Sequence, residues 1–252
     1  MILKLNNITK IFGGLKAVDG VSLEIPQGVV YSIIGPNGAG KTTLLNLITG
    51  IYTPTEGQIE FNGENVTNLG PDQLAKRGMS RTFQNLQVCM NMSAVENVMI
   101  GAHLKLNPNP LAGMFRLPSI VAADKACRAK ALELIEFVGL EKYKDFNADQ
   151  LSYGVLKRLE IARALASEPR LMLLDEPAAG LNTSEKREIE ALIVKIAKTG
   201  ITIVLVEHDM KMVMNISDRI FVLDYGRKLA EGTAQEVREN PDVIAAYLGA
   251  GA

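Results

Sequence analysis

The stretch from Gly35 to Thr43 restricts the possible folds of this chain more than any other feature. Its sequence, GPNGAGKTT, has the spacing G-x-x-x-x-G-K-T, which is typical of a loop that binds phosphate groups. An apolar run rich in β-branched residues, 29–34, precedes the loop and predicts a buried strand. Leucine and isoleucine at helical spacing follow the loop up to Ile51 and predict a helix. The pattern therefore predicts a strand, a phosphate-binding loop and a helix in succession.

The residue types in this loop suit a nucleotide. Glycines let the main chain approach a ligand closely, and successive N–H groups at the start of a helix attract anions. Lys41 adds a positive charge for the β- and γ-phosphates, and the Thr42 hydroxyl is a suitable ligand for Mg²⁺, which prefers oxygen. The alternative is a glycine-rich turn with a surface lysine. The strand, the helix and the hydroxyl together favour phosphate binding.

Length and charge limit the class of protein further. The 252 residues are enough for one large domain, or for one domain with an inserted lobe. The formal net charge of −1 gives no overall attraction to nucleic acid or anionic lipid. Cys89 and Cys127 have no metal-binding or disulfide pattern, which favours a reducing compartment. No apolar run approaches the ~18 residues of a membrane span, and the N-terminus has no signal-peptide pattern, so we expect a chain that does not cross a membrane.

Near the N-terminus, apolar and polar residues alternate, which predicts half-exposed strands. The alternation occurs at 3–5, 21–25 and 58–61, and we expect the first two strands to be antiparallel. Asn62-Gly63 is a typical hairpin turn. With the strand before the phosphate-binding loop, these segments predict a mixed sheet in this part of the chain.

The middle of the chain, about 86–160, has mainly helical patterns and predicts a lobe inserted into an α/β core. A strand-like piece over 79–84 precedes it. A capping box that begins at Ser93 predicts a helix up to about Leu104. A second helix is expected over 120–138. The proline-containing segment 105–118 between them predicts an irregular loop that exposes three large apolar side chains, Leu111, Met114 and Phe115.

After residue 160, buried strands at 171–174 and 201–206 alternate with helices, and acidic residues follow each strand. Ligands of α/β folds bind at the carboxyl ends of such strands. Asp175 is placed to hold Mg²⁺ through water, and Glu176 to orient or deprotonate an attacking water. The alternative for both acids is to cap the next helix.

Four further residues are weak signals individually. His208, just after the second strand, is either a donor to a γ-phosphate or a polar residue at a strand end. The other three residues also have simple structural explanations. Gln84 could lie on a loop surface, Phe12 in the core, and Ser152 at the cap of a helix.

The order of these elements resembles that of the ATP-binding-cassette (ABC) ATPases. Along the chain come an aromatic residue, the phosphate-binding (Walker A) loop, a glutamine, a signature stretch, an acidic (Walker B) strand and a histidine. Within that family, several segments resemble the LivG-type ATPases of branched-chain amino acid importers, namely 151–154, 158–163, 175–182, 207–210 and 240–244. The long segment between Gln84 and Leu151 resembles the same branch.

This resemblance implies an α/β fold of the P-loop NTPase type. Its RecA-like core would carry an N-terminal antiparallel β-subdomain and an inserted α-helical lobe, at 86–160, within a single nucleotide-binding domain over 1–252.

The resemblance also implies ATP and Mg²⁺ as ligands and assigns residues to them. Phe12 would stack on adenine and Val18 would border it. The phosphates would be held by Asn37, Gly38, Ala39, Gly40, Lys41, Thr42 and Thr43. Mg²⁺ would be held by Thr42, Gln84 and Asp175.

For catalysis, the resemblance implies Glu176 as the base, His208 as a switch, and Gln84 as a contact to the attacking water. Ser152 and Gly154 would act in trans, on ATP held by the other subunit of a head-to-tail dimer. Two positions depart from the general family pattern. Tyr153 fits the LivG-type branch, whereas Val155 removes a polar side chain at the start of the signature helix.

The function implied is that of the ATPase subunit of an importer for branched-chain amino acids. Its partners would be transmembrane permease subunits and a second ABC ATPase, in a heterodimer or a homodimer, with a periplasmic binding protein involved only indirectly and no nucleic acid. It would lie at the cytoplasmic face of the cell (inner) membrane. The alternatives are transport of urea, short amides or lipopolysaccharide, and a soluble ABC ATPase of iron–sulfur cluster assembly. A small-molecule kinase is disfavoured because the signature stretch would have no role in it.

Overall fold

The computed structural model describes residues 1–103 and 118–249. Its strands are β1 (Leu3–Phe12), β2 (Leu15–Ile25), β3 (Val30–Ile34), β4 (Glu56–Phe61), β5 (Glu64–Asn65), β6 (Met79–Arg81), β7 (Leu171–Asp175), β8 (Thr202–Val206), β9 (Arg219–Asp224) and β10 (Arg227–Gly232). Its helices are α1 (Lys41–Ile48), α2 (Pro71–Lys76), α3 (Ala94–Gly101), α4 (Pro118–Phe137), α5 (Tyr153–Leu165), α6 (Thr183–Ala197), α7 (Met210–Ile216), α8 (Ala234–Glu239) and α9 (Pro241–Gly249).

The chain folds into two compact units. The first consists of Met1–Arg81 and Arg170–Ala252, and the second of Thr82–Pro169. The segment 86–160, for which the sequence predicts an inserted helical lobe, falls within the second unit. None of the helices described is both long and apolar enough to cross a membrane.

The first unit contains two sheets. One has four antiparallel strands in the order β2-β1-β4-β5, and the other has six in the order β10-β9-β3-β8-β7-β6. In the second sheet the strands from β9 to β6 run parallel, and β10 pairs antiparallel with β9. The prediction of a mixed sheet near the N-terminus was wrong, because β3 leaves that region and pairs with β8 and β9. All five residues of β3 are buried, as expected for a central strand of a parallel sheet.

One hydrophobic core joins the two sheets of this unit. It includes the inward-facing residues of β1, β2 and β4, the apolar side of α1, and residues of β3, β7, β8 and β9. The hairpin predicted at Asn62-Gly63 is confirmed, since both residues have positive φ, 52° and 78°, the conformation of a tight two-residue turn. The core fixes α1 and its preceding loop against the parallel sheet.

In the second unit, α3, α4 and α5 are the main elements. The predicted capping box is confirmed, with the Ser93 N–H 2.8 Å from Glu96 Oε2 and the Glu96 N–H 3.3 Å from Ser93 Oγ. Helix α3 ends at Gly101, where a Cβ atom would lie 2.0 Å from the Arg163 carbonyl oxygen of α5. Only glycine allows these two helices to approach so closely.

Some predicted boundaries differ from the structure. Strand β6 ends at Arg81, three residues before the predicted end at Gln84. Helix α3 stops before Leu104, which lies outside the described residues, as does the predicted loop at 105–118 apart from Pro118. Helices α2 and α7 were not predicted, because both are short and have little periodic pattern.

Candidate functional site

The phosphate-binding loop predicted from the sequence joins β3 to α1 in the first unit. Gly38 and Gly40 have φ of 79° and 103°, values that L-residues rarely adopt. A Cβ atom on Gly40 would lie 2.5 Å from the Ala17 carbonyl oxygen, so the loop also needs glycine for space. Gly40 is the N-cap of α1 and no side chain caps this helix. Its first N–H groups are therefore available to an anion.

The loop forms one wall of a cleft of about 490 Å³, a size suited to a small-molecule ligand. The lining residues are Leu15, Lys16, Ala17, Asn37, Gly38, Ala39, Gly40, Lys41, Thr42, Thr43, Glu176, Tyr225 and Gly226. The cleft thus brings together the whole set of predicted phosphate-binding residues and the predicted catalytic base. It also contains residues 15–17 of β2 and residues 225–226 of the β9–β10 turn, to which the sequence assigned no function.

Lys41 lies over its own loop. Its Nζ atom donates to the carbonyl oxygens of Gly35, at 2.7 Å, and Pro36, at 2.9 Å. Burial lowers the pKa of Lys41, and the negative charges of Glu176 and Asp175 oppose this shift. A cation so placed can exchange two carbonyl oxygens for phosphate oxygens, which carry more negative charge.

Glu176 and His208 follow two neighbouring strands, β7 and β8. Glu176 has φ of 49°, a left-handed conformation that is uncommon outside glycine and is often found at functional sites. Its N–H is held by the Val206 carbonyl oxygen at 2.9 Å. His208 Nδ1 lies 3.7 Å from Glu176 Oε2. The His208 side chain is 62% exposed, against 23% for Glu176, so the imidazole has more contact with solvent than the carboxylate.

Glu207, between these groups, is a buried carboxyl to which the sequence analysis assigned no function. It is 1% exposed, and its oxygens accept the N–H groups of Ala178, at 2.9 Å, and His208, at 3.1 Å. Burial raises the pKa of Glu207, and these hydrogen bonds oppose the shift. Glu207 therefore ties the backbone after β7 to the backbone after β8 and sets the positions of both predicted catalytic side chains.

Asp175, the last residue of β7, is paired with an arginine that the sequence analysis did not identify. Arg81 Nη2 lies 2.9 Å from Asp175 Oδ2, and the two side chains are 7% and 9% exposed. Arg81 Nη1 also donates to Asn46 Oδ1, at 2.6 Å, and Thr49 Oγ1, at 3.2 Å, on α1. A lone arginine in a short strand carries no signal for this contact, because its partner is 94 residues away along the chain.

Two residues predicted to contact adenine lie outside the lining of the cleft. Val18 is fully buried. The ring of Phe12 is 42% exposed and packs edge-on against Tyr52, with ring centroids 5.3 Å apart. The Lys10 ammonium lies 5.2 Å from the centroid of the Phe12 ring. Neither side chain is among the residues that face the cleft in the described structure.

The remaining predicted residues lie in the second unit. Ser152 is the exposed N-cap of α5 but makes no side-chain capping bond, and Gly154 is buried in the first turn of that helix. Two buried charges on the same helix hold the segment that contains Gln84. Lys157 Nζ donates to the Gln84 carbonyl oxygen at 3.2 Å, and Glu160 Oε1 accepts the Gln87 N–H at 3.3 Å.

The residues of the cleft fit Mg²⁺ together with a nucleotide. Among the residues that the structure describes, no cluster of three or more His, Cys, Asp or Glu side chains forms a metal site. Mg²⁺ bound to a nucleotide does not need one, because water and phosphate oxygens supply most of its ligands. The Thr42 hydroxyl lines the cleft. Asp175 is outside the lining but close enough for its charge to act on Lys41, and one of its oxygens is paired with Arg81.

Comparisons with known proteins agree with this geometry. Residues 18–179 match the family model described as "ABC transporter". Residues 227–252 match the model described as "Branched-chain amino acid ATP-binding cassette transporter". The second match covers β10, α8 and α9 and includes the segment 240–244, one of the segments that resemble the LivG-type ATPases.

Individual relatives match over almost the whole chain. The chain is 46% identical to the high-affinity branched-chain amino acid transport ATP-binding protein BraF of Pseudomonas aeruginosa, over 98% of both proteins. It is 43% identical to the protein LivG of Escherichia coli, which has the same description, again over 98% of both. A solved structure described as the ADP conformation of MJ1267, an ATP-binding cassette of an ABC transporter, superposes with a TM-score of 0.86 at 36% identity, over 98% of each chain.

Proposed function

The chain belongs to the ABC transporter family, in the branch of the branched-chain amino acid transport ATP-binding proteins, and from that premise we propose that it is the ATPase subunit that powers a branched-chain amino acid importer. One observation carries the proposal. A single cleft contains the whole phosphate-binding loop and Glu176, so the groups that bind phosphate and the group that activates water face the same ligand.

ATP binds with its phosphates on the loop. The N–H groups of 37–43 and the positive end of α1 receive the phosphate oxygens, and Lys41 turns from its backbone partners to the β- and γ-phosphates. Thr42 and Asp175 would hold Mg²⁺. When bound, the ion neutralises charge on the phosphate oxygens.

Glu176 is the general base in the hydrolysis of ATP. Its carboxylate accepts a proton from the water that attacks the γ-phosphate, the bond from the γ-phosphorus to the bridging oxygen breaks, and ADP and phosphate leave. The backbone at φ 49° holds the carboxylate in position. His208, on the adjacent strand end, donates to the γ-phosphate and stabilises the charge that develops there. Glu207 positions both residues through its two backbone hydrogen bonds.

Ser152 and Gly154 act on the nucleotide of a second ATPase subunit. An exposed serine N-cap without an internal capping bond leaves its hydroxyl and the N-terminal N–H groups of α5 available for an anion. Gln84 is held to the same helix through Lys157. We place the protein on the cytoplasmic face of the membrane, bound to permease subunits and to a homologous ATPase.

The test is uptake of radiolabelled leucine by vesicles that contain the complete transporter. Lys41→Ala should abolish both ATP binding by this subunit and ATP-dependent uptake. Lys130→Ala, which removes an exposed lysine of a surface ion pair on α4, is the matched control and should behave as wild type. Competition by unlabelled isoleucine and valine, but not by urea, identifies the substrate class.

Two results contradict the proposal. Uptake that persists in Lys41→Ala would exclude the cleft as the ATP site. A transporter that hydrolyses ATP but carries urea or another solute in place of leucine would show that branched-chain amino acids are not its substrate.

A further inference from the structure

The two-residue turn between β9 and β10 carries an aromatic side chain that is hard to explain by stability. The turn consists of Tyr225 and Gly226, with φ of 41° and 75°, the conformation of a type I′ hairpin turn. Asparagine, aspartate or glycine is favoured at the first of these positions, and a bulky residue there is strained. Tyr225 is also 87% exposed, so its ring gains little from burial in the fold.

The turn is fixed against the phosphate-binding loop. The Gly226 N–H donates to the Ala39 carbonyl oxygen at 2.9 Å, and the Gly226 carbonyl oxygen accepts the Asp19 N–H at 2.8 Å. A Cβ atom on Gly226 would lie 2.8 Å from the Ala17 carbonyl oxygen. Arg227, the next residue, donates two hydrogen bonds to Asp19 Oδ2, from Nε at 2.9 Å and from Nη2 at 2.6 Å. Tyr225 therefore lies on a turn whose backbone is fixed beside the phosphate-binding loop.

The position of Tyr225 within the cleft indicates which part of a ligand it meets. In the proposed function the phosphates lie on residues 37–43, which share the cleft with Glu176. The rest of the lining is Leu15, Lys16, Ala17 and the Tyr225-Gly226 turn. Leu15 and Tyr225 are the exposed apolar side chains there, 71% and 87% exposed. These are the lining residues that remain for a base or sugar that continues from the phosphates.

We propose that the ring of Tyr225 contacts the nucleoside of the bound nucleotide and contributes to nucleotide affinity without contacting the phosphates. The inference rests on the proposed ATP-binding function. It gives a role to a strained, exposed aromatic on a turn that is bonded to the phosphate-binding loop. Phe12, whose ring packs on Tyr52, is not needed for this contact.

Calorimetric titration separates the two parts of the ligand. Tyr225→Asn deletes the ring and places a residue that tolerates positive φ, so its thermal unfolding midpoint should not fall. Its Kd for MgADP should rise at least about fivefold, because stacking of a base on an aromatic ring is worth about 1 kcal/mol or more. Its Kd for inorganic tripolyphosphate, which has no nucleoside, should stay within about twofold of wild type. Tyr225→Phe, which keeps the ring, should bind MgADP as wild type does.

A second measurement uses fluorescence, because the chain has no tryptophan. Tyr225→Trp places one reporter on the turn, and MgADP should quench it while tripolyphosphate should not. Phe146→Trp is the matched control, since Phe146 is an aromatic residue of the second unit that is 50% exposed. Its emission should not respond to either ligand.

The outcomes separate this inference from the proposed function. If wild type binds MgADP and tripolyphosphate and Tyr225→Asn binds MgADP equally well, the inference is wrong and the ATP site stands. If Tyr225→Asn loses affinity for both ligands to the same extent, Tyr225 acts on the loop and the nucleoside contact is again excluded. If wild type binds neither ligand, both proposals fail.

Discussion

Replacement of Arg81 tests whether the buried ion pair at the end of β7 holds this part of the fold together. In Arg81→Met, the Asp175 carboxylate would keep its position, 9% exposed, but lose its cation. Two unit charges about 4 Å apart interact by about 4 kcal/mol at an effective dielectric constant of about 20. Removal of one partner of a buried pair typically costs about 3–5 kcal/mol. We expect a loss in this range, which is a large part of the ~5–15 kcal/mol by which most proteins are stable.

The measurement is urea unfolding followed by far-ultraviolet circular dichroism, with Arg77→Met as the matched control. Arg77 pairs with Glu64 at 3.2 Å, but those side chains are 40% and 66% exposed. An exposed pair is worth about 0–1 kcal/mol, so this variant should lose no more than that. The double variant Arg81→Met/Asp175→Leu removes both buried charges and should regain most of the lost stability. If the free energy of unfolding falls no further in Arg81→Met than in Arg77→Met, the buried pair does not stabilise the fold as its burial predicts.

Three other outcomes follow from the site. Glu176→Gln should keep ATP binding and lower phosphate release at least ~100-fold; near-wild-type turnover would remove Glu176 as the base. Ser152→Ala, in a complex with one phosphate-binding loop disabled at a time, should slow hydrolysis at the partner's site, and slowing of this chain's own site alone would refute the trans arrangement. The raised pKa of Glu207 makes its ionisation unfavourable to the folded state, so the stability it contributes is present below its ordinary pKa and is lost as pH rises through the raised value. The unfolding free energy of Glu207→Gln relative to wild type should therefore increase as pH rises from the ordinary pKa of 4.5 to the raised value; a difference that does not change with pH would contradict the assignment.

Local features of this molecule could be predicted from the sequence because the interactions that form them join near neighbours. The strand, loop and helix around Gly35–Thr43, the capping box at Ser93 and the hairpin at Asn62-Gly63 all depend on residues within a few positions of one another. The ABC transporter family was also identified at that level, from the order of short motifs. The α/β fold class predicted in this way is confirmed by the structure and by its match to a solved cassette.

The tertiary structure alone decided which of these local features meet. Strand β3 lies between β8 and β9 instead of joining the N-terminal sheet, and this order places Glu176 and the Tyr225 turn in one cleft. The contact between Arg81 and Asp175 spans 94 residues and has no local pattern. Strand order depends on how the faces of sheets and helices are buried against each other. The apolar pattern of a buried strand does not specify which strand pairs with it. Contacts between distant residues therefore follow from the packing of the complete core.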